Sequence, residues 1–354
     1  MSSAANGQGP DVYYIILDAY GREDVLRRYY DLDNSAFVAA LEQRGFYVAR
    51  RSHSNYGQTY LSLASSLNST YLDPVVERVG TEGSDRTPLR EMIAHNRTAA
   101  YLRGRGYTFV AYSSGYTGTE IPDADVYLEP RAALSEFEEA LIESTPLAAL
   151  GDSIGVEDVR YRAHRSRILF TLGEVGTRAD WRHPVFVFAH VFAPHPPFVF
   201  QSDGTPALHD VPFSTRDGGP FADGGKKYVN GYREQVRFLN TRVIEAIDRI
   251  LQNSAKPPII VLQGDHGPGS CWVPDLDESD PRERVSILNA YYFPDRRYDR
   301  LYPEITPVNT FRLILSQYFG SGDALLEDRS YLSNWSHPYR LVDVTTQVSG
   351  DPVS

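Results

Sequence analysis

The stretch Pro258-Ile-Ile-Val-Leu-Gln-Gly-Asp-His-Gly267 passes from an apolar run directly into an Asp-His pair flanked by glycines. A run apolar on successive residues suits a strand buried on both faces, the state of parallel strands covered by helices. Four other segments read the same way: Val12-Tyr-Tyr-Ile-Ile-Leu17, Tyr107-Thr-Phe-Val-Ala-Tyr112, Pro184-Val-Phe-Val-Phe-Ala189 and Ile287-Leu-Asn-Ala-Tyr-Tyr-Phe293. Helical patterns fall between them. The clearest spans about Tyr232 to Leu251, with Val236, Leu239, Val243, Ile247 and Ile250 on one face. Another starts at Asn34 or Ser35 and stops before Gly45, and a third covers roughly Val308 to Tyr318 before Gly320. Strands alternating with helices predict an α/β fold, a mostly parallel central sheet with helices on both faces.

Bulk properties narrow the function. The chain has 354 residues, 42% of them hydrophobic, enough for a large core. A formal charge of -11 argues against a nucleic-acid partner, which needs a surplus of Lys and Arg. It leaves an anionic substrate open, because a bound dication can supply local positive charge. The single cysteine, Cys271, excludes an intrachain disulfide and reads as a buried small residue. No apolar run approaches the roughly 20 residues needed to cross a bilayer. Residues 1–10 read as a flexible leader without the pattern of a signal peptide, residues 11–345 as one domain, and 346–354 as a flexible tail. The Gly-, Pro- and Ser-rich stretch from Gln201 to Lys227 reads as a long loop, a frequent home of function.

Three of the predicted strands run into polar residues where α/β sheets bind ligands, beyond their carboxyl ends. The first leads to Asp18, the 184–189 strand to His190 and Pro194-His195-Pro196-Pro197, and the 258–262 strand to Asp265-His266. Two carboxylates and an imidazole suit zinc or manganese better than calcium, which prefers oxygen alone. In Asn55-Tyr56-Gly57-Gln58-Thr59, Gly57 marks a turn and Thr59 opens a small-residue helix, where unpaired N–H groups favour an anion. A dication beside Thr59 would lower the pKa of its hydroxyl and make it a nucleophile. Arg22, Asn55 and His190 are candidates to meet the substrate. His53 reads as a surface or capping residue, His95, His164, His183 and His209 as solvated, and the run Arg160, Arg162, Arg165, Arg167 as an exposed helix face.

The combination of an early Asp18, a helix-opening Thr59, the Pro-His-Pro-Pro turn and Gly-Asp-His-Gly resembles the alkaline phosphatase/sulfatase superfamily. More narrowly it is similar to bacterial sulfatase-like proteins grouped with lipoteichoic acid synthases and phosphoethanolamine transferases. The similarity runs through Tyr13–Arg22, Ser54–Leu72, Pro184–Phe200, Tyr228–Gly267 and Thr306–Tyr331. It implies an alkaline-phosphatase-like sheet, a catalytic domain over 11–345, and one divalent cation on Asp18, Thr59, Asp265 and His266, with a second left open. It also implies a covalent ester on Thr59, with His195 stabilising the transition state or protonating the leaving group. Typical sulfatases carry Cys or Ser in Cys/Ser-x-Pro-x-Arg, converted to formylglycine. Thr59 cannot be converted, so phosphorus chemistry is favoured over sulfate esters. The reading is hydrolysis of phospho- or sulfo-esters. The alternatives are transfer of a phosphoethanolamine- or phosphoglycerol-type group to a lipid or glycan, and an idle relative that binds a glycan. The residues alone leave the compartment open, while the resemblance implies an extracytoplasmic or membrane-associated setting.

Overall fold

A computed structural model describes residues 9–130, 156–177, 184–209, 212–217, 225–271 and 279–349. Seven strands form one sheet: β1 (Val12–Leu17), β2 (Tyr47–Val48), β3 (Thr108–Tyr112), β4 (Val126–Leu128), β5 (Val185–Val191), β6 (Ile259–Gly264) and β7 (Asn289–Tyr292). Their order is β2-β7-β6-β1-β5-β3-β4. The five strands from β6 to β4 run parallel, while β7 runs antiparallel to both β6 and β2. A small antiparallel pair, β8 (Tyr331–Leu332) and β9 (Val342–Asp343), lies apart. The expected mostly parallel sheet, and all five expected strands, are present.

The apolar runs divide between two cores, as strand pleating requires. Tyr13, Ile15, Leu17, Val187, Ala189, Ile260 and Leu262 face one core with the helices Val156–Glu174 and Lys226–Asn253. Val12, Tyr14, Ile16, Phe186, Phe188, Ile259 and Val261 face the other with Thr59–Asn68, Thr87–Ala94, Arg97–Arg103 and Pro307–Phe319. Helices therefore cover both faces. Parallel pairing brings the carboxyl ends of the central strands to one edge: Leu17 of β1 lies opposite Val191 of β5 and Gly264 of β6. The next residues, Asp18, Phe192 and Asp265, emerge side by side.

Several local expectations are corrected. The long helix begins at Lys226, so the expected loop to Lys227 is shorter at its C-terminal side. Tyr228 and Tyr232 are buried there, and Tyr232 packs on Tyr30 with ring centroids 4.5 Å apart. The helix Ser35–Gln43 starts where expected, but Asn34 donates its amide to Tyr20 OH and accepts from the Asn240 amide, and Asp33 accepts from the Ser35 N–H instead. The stretch expected as a tail starts with a helical turn, Thr345–Val348, whose Val348 packs on Val285 and Leu332. Cys271 is exposed, not buried. Residues 1–8 of the expected leader, residues 350–354 of the tail and His183 lie outside the described residues. No helix among the described residues is long and apolar enough to cross a membrane.

The arginine-rich helix Val156–Glu174 differs most. Arg167 is buried, and Arg165 donates to Gly204 O at 2.6 Å while lying over the Phe200 ring. His164, expected in solvent, is buried between Phe192 and Phe213. Burial, reinforced by the positive charge of Arg167 and by His195, holds its pKa down to about 3. Unfolded chains bind a proton at this residue below about 6.5, whereas the folded protein does not until about 3. Stability from this group is therefore complete above pH 6.5 and lost as pH falls, by up to about 1.4 kcal/mol per unit. His53, buried against Arg22 and also held at about 3, adds in the same direction. Melting temperature should fall steadily from pH 7 to pH 5, and His164→Gln should flatten that slope. An unaltered slope in the variant would contradict the buried neutral histidine.

Candidate active site

Asp18, Asp265 and His266 meet at the strand ends, all three buried. The structure brings one donor atom from each to within 4.8 Å of the others. His266 Nε2 lies 3.6 Å from Asp18 Oδ1 and 3.6 Å from Asp265 Oδ2. These spacings are close to the edge of about 3.3 Å of a tetrahedron with zinc-ligand bonds near 2.0 Å. Thr59, first residue of the helix Thr59–Asn68, places its Oγ1 3.2 Å from His266 Nε2. The helix is held against β6 by Ser62 Oγ, which donates to Asp265 O at 2.6 Å.

Hydrogen bonding decides which lone pairs remain. His266 Nδ1 lies 2.8 Å from Gly267 O, so it carries the proton and Nε2 keeps its lone pair. His190 Nε2 lies 3.1 Å from Asp18 Oδ2, and its Nδ1 2.8 Å from Thr119 Oγ1. It thus backs the carboxylate from outside, in the manner of groups that orient metal ligands. The Ala19 N–H donates to Asp265 Oδ1 at 3.0 Å. Ala19 itself holds φ 61°, a strained value for a residue with a Cβ. What remains are Asp18 Oδ1 and Asp265 Oδ2, buried and without a hydrogen-bond partner. Buried polar atoms are almost always satisfied, and two orphaned carboxyl oxygens converging on an imidazole lone pair fit a divalent cation.

Electrostatics agree. Burial, then the charge of Asp265, pushes the Asp18 carboxyl well above its usual range. Asp265 is pushed up by burial too, but His266, His190 and the Ala19 N–H together hold it below its ordinary value. Burial, then Arg284, keeps His266 neutral down to about 4. A neutral imidazole is the form that ligates a metal.

His195 lies beside this cluster, its ring centroid 6.2 Å from that of His266. Its N–H donates to Asp18 O at 3.0 Å, and its Nδ1 sits 2.5 Å from Pro196 O, which directs Nε2 the other way. Nε2 lies 3.9 Å from Asp217 Oδ2. Asp217 accepts from Tyr228 OH at 2.8 Å and forms a buried ion pair with Arg284, whose Nε donates to Gly57 O at 2.7 Å. Gly267 lets the Glu283-Arg284 backbone approach, since a Cβ there would stand 2.1 Å from Glu283 O. Asp217 and Arg284 escaped the sequence reading. The only signal for Asp217 was its place in the 201–227 loop, and Arg284 had none.

Two expected substrate contacts are not brought in. Arg22 is bound by Asp24 at 2.6 and 2.8 Å and donates to Ser52 O at 3.1 Å. Asn55 ties its loop to the helix Pro307–Phe319, donating to Thr306 Oγ1 at 2.9 Å and accepting from the Val308 N–H at 2.8 Å. Both are engaged as structural anchors. His53, expected at the surface, is buried against Arg22.

No family model and no curated protein matches the chain in sequence. Solved structures do match in shape. The C-terminal periplasmic domain of EcEptC from Escherichia coli, in complex with Zn, aligns with a TM-score of 0.62 and 14% identity, covering 100% of this chain and 97% of that one. The putative sulfatase yidJ from Bacteroides fragilis gives 0.54 and 11%, covering 95% and 84%. The C-terminal periplasmic domain of phosphoethanolamine transferase EptC from Campylobacter jejuni gives 0.51 and 11%, covering 91% and 92%. These likenesses show the fold: a mostly parallel sheet between helices, alkaline-phosphatase-like. In this fold the Asp18, Asp265 and His266 cluster lies at the carboxyl edge of the central strands, the edge that the sheet topology makes available for a ligand.

Two buried carboxylates without a cation oppose folding, which yields a signature. Asp18→Asn should raise the melting temperature of metal-free protein by a few degrees, because repulsion and desolvation are relieved. The same change should weaken zinc binding by at least about 100-fold in calorimetry. A variant that loses stability and keeps its zinc affinity would contradict this assignment.

Proposed function

We propose that this chain is a metal-dependent enzyme that breaks phospho- or sulfo-esters through a covalent intermediate on Thr59. The observation that carries the reading is Thr59 Oγ1, 3.2 Å from His266 Nε2, beside two buried carboxylate oxygens that accept no hydrogen bond. The region 11–345 would be the catalytic domain. Asp18, Asp265, His266 and Thr59 would hold one divalent cation, zinc or manganese. When bound, that cation supplies Lewis-acid polarisation of the ester and lowers the pKa of the threonine hydroxyl.

The chain's own groups define the remaining steps. Thr59 Oγ, its proton already released to solvent, attacks phosphorus or sulfur as the alkoxide, the bond to the leaving oxygen breaks, and Thr59 is later freed as the same alkoxide. The first N–H groups of the helix Thr59–Asn68 point at a non-bridging oxygen of the anion. His195 gives a proton from Nε2 to the leaving oxygen. Asp217, fixed by Arg284 and Tyr228, orients that imidazole. A second acceptor then attacks the same centre, frees Thr59 and returns its proton to His195. Water as acceptor makes a hydrolase, an alcohol makes a transferase.

Transfer has specific support, since two of the similar structures are EptC periplasmic domains, one of them described as a phosphoethanolamine transferase. Sulfatase neighbours keep the sulfo-ester reading in view, but Thr59 cannot become formylglycine, which favours phosphorus. A glycan or lipid ester as substrate and an extracytoplasmic setting fit the same neighbours, which include a 2-O GAG sulfatase.

With zinc or manganese added, the protein should turn over aryl phosphates, phosphodiesters or aryl sulfates, and Thr59→Ala should reduce that by at least about 10³-fold. Undiminished turnover in the variant rules Thr59 out as nucleophile, whereas no turnover by the wild type puts the idle, glycan-binding reading first. The acid role of His195 has its own measurement. His195→Ala should lower kcat by about 10²-fold for alkyl esters and only slightly for p-nitrophenyl esters, whose leaving group needs no proton. Equal losses on both would assign His195 to binding.

A further inference from the structure

The loop after β3, Ser113-Ser-Gly-Tyr-Thr-Gly-Thr-Glu120, touches both the carboxylate cluster and the helix that Thr59 opens. On one side Thr119 Oγ1 lies 2.8 Å from His190 Nδ1, and His190 Nε2 lies 3.1 Å from Asp18 Oδ2. Thr119, His190 and Asp18 are all buried. On the other side Gly118 packs against Tyr60, the residue after Thr59. A Cβ at Gly118 would stand 2.6 Å from the Tyr60 ring and 3.0 Å from that of Tyr116. Tyr116 in turn stacks on Phe192, just beyond β5, with ring centroids 5.0 Å apart. Glu120 holds the loop in shape. Its carboxylate accepts from the Ser114 N–H at 2.9 Å, the Gly115 N–H at 2.5 Å and Tyr127 OH.

The protons along this chain of groups can be assigned one by one. A carboxylate that binds a cation is ionised and only accepts, so the proton between His190 and Asp18 belongs to Nε2. Full burial favours the neutral ring, which has a single proton, and Nδ1 is left as an acceptor. The Thr119 hydroxyl must then donate to it. Its oxygen can accept in turn from Ser114 Oγ, 2.8 Å away, and Ser114 Oγ receives the Tyr116 N–H at 3.0 Å. His266 holds the opposite tautomer, with its Nδ1 proton on Gly267 O. The two histidines thus have opposite tasks: His266 offers a lone pair, His190 offers a proton. A His190 protonated on Nδ1 would set its Nε2 lone pair against Asp18 Oδ2.

We infer that Thr119 is a positioning residue of the cation site, one that locks His190 with its proton on Nε2 and so keeps Asp18 Oδ1 turned toward the cation. The inference rests on the cation reading of Asp18, Asp265 and His266, and is independent of ester chemistry at Thr59. Thr119 touches no ligand atom and acts only through His190.

The zinc-loaded full chain, isotopically labelled at the histidine ring nitrogens, is examined by long-range proton–nitrogen correlation, with His190 assigned by its loss in His190→Gln. Nε2 of His190 should carry the proton, and Nδ1 should show the shift of an acceptor nitrogen. In zinc titrations Thr119→Val should bind at least about tenfold more weakly than wild type, and Thr119→Ser should recover most of that loss. Tyr127→Phe loosens the same loop at Glu120 without touching His190, and should leave zinc affinity unchanged. A proton on Nδ1 in the wild type overturns the inference, and that spectrum needs no variant of Thr119 to fold. Thr119→Val with wild-type zinc affinity also overturns it, as does an equal loss in Tyr127→Phe, which would assign the effect to general loosening of the loop. A wild type that binds no zinc overturns the cation reading together with this one, whereas equal binding by wild type and Thr119→Val overturns this one alone.

Discussion

Two carboxylates that folding drives out of water to adjoining positions set the terms for the rest of this molecule. Asp18 and Asp265 follow adjacent parallel strands in matched register, so the sheet has no means of separating them. At the outer limit of their 4.8 Å spacing, two full charges repel by about 3.5 kcal/mol at an effective dielectric near 20. Desolvation adds to that cost. Compensation is built in around them: His190 behind Asp18, the Ala19 N–H on Asp265, and His266 offering a lone pair between both. The left-handed backbone at Ala19 occurs at the same residue whose N–H meets the carboxylate. A protein accepts such strain where the arrangement has a use.

A second buried pair stands beside the first. Arg284 and Asp217 neutralise each other, yet the arginine also acts electrostatically on Asp18, Asp265 and His266. A fixed guanidinium thus supplies positive charge beside the cluster, next to the turn that leads into Thr59. The long loop beyond β5 delivers Asp217 to His195, and the helix Lys226–Asn253 delivers Tyr228 to Asp217. The polar network connects segments distant in sequence, which makes its geometry a property of the whole fold.

That distance explains how much could be read from residues alone. The strands β1, β5 and β6 were legible because burial on both faces leaves apolar residues at every position. Asp18, Asp265 and His266 were legible as a group because they follow those runs directly, whereas the glycine turn and small-residue helix at Thr59 suit a simple cap equally, and only the resemblance singled that residue out. The strands β2 and β4 span two and three residues, too short for any periodic signal. The early start of the Lys226 helix was hidden by Asn230-Gly231, which suggests a turn. Gly231 is present because a Cβ would stand 2.2 Å from the Phe198 ring, a contact invisible in the sequence. The burial of His164 and Arg167, and the half-burial of Arg165, were missed because their helix faces the loop after β5, so long polar residues there are covered by tertiary packing. Arg284 sits in a five-residue helix among other charges, and only its ion pair with Asp217 distinguishes it.

The central claim is that one cation closes the gap between these donors. Diffraction from crystals grown with stoichiometric zinc, recorded across the zinc absorption edge, addresses it without any assumption about substrate. The account predicts a single strong anomalous peak about 2.0–2.2 Å from Asp18 Oδ1, Asp265 Oδ2 and His266 Nε2, with Thr59 Oγ1 turned toward it. A zinc-loaded crystal with its peak elsewhere, and those three atoms bound to one another or to water, would contradict it.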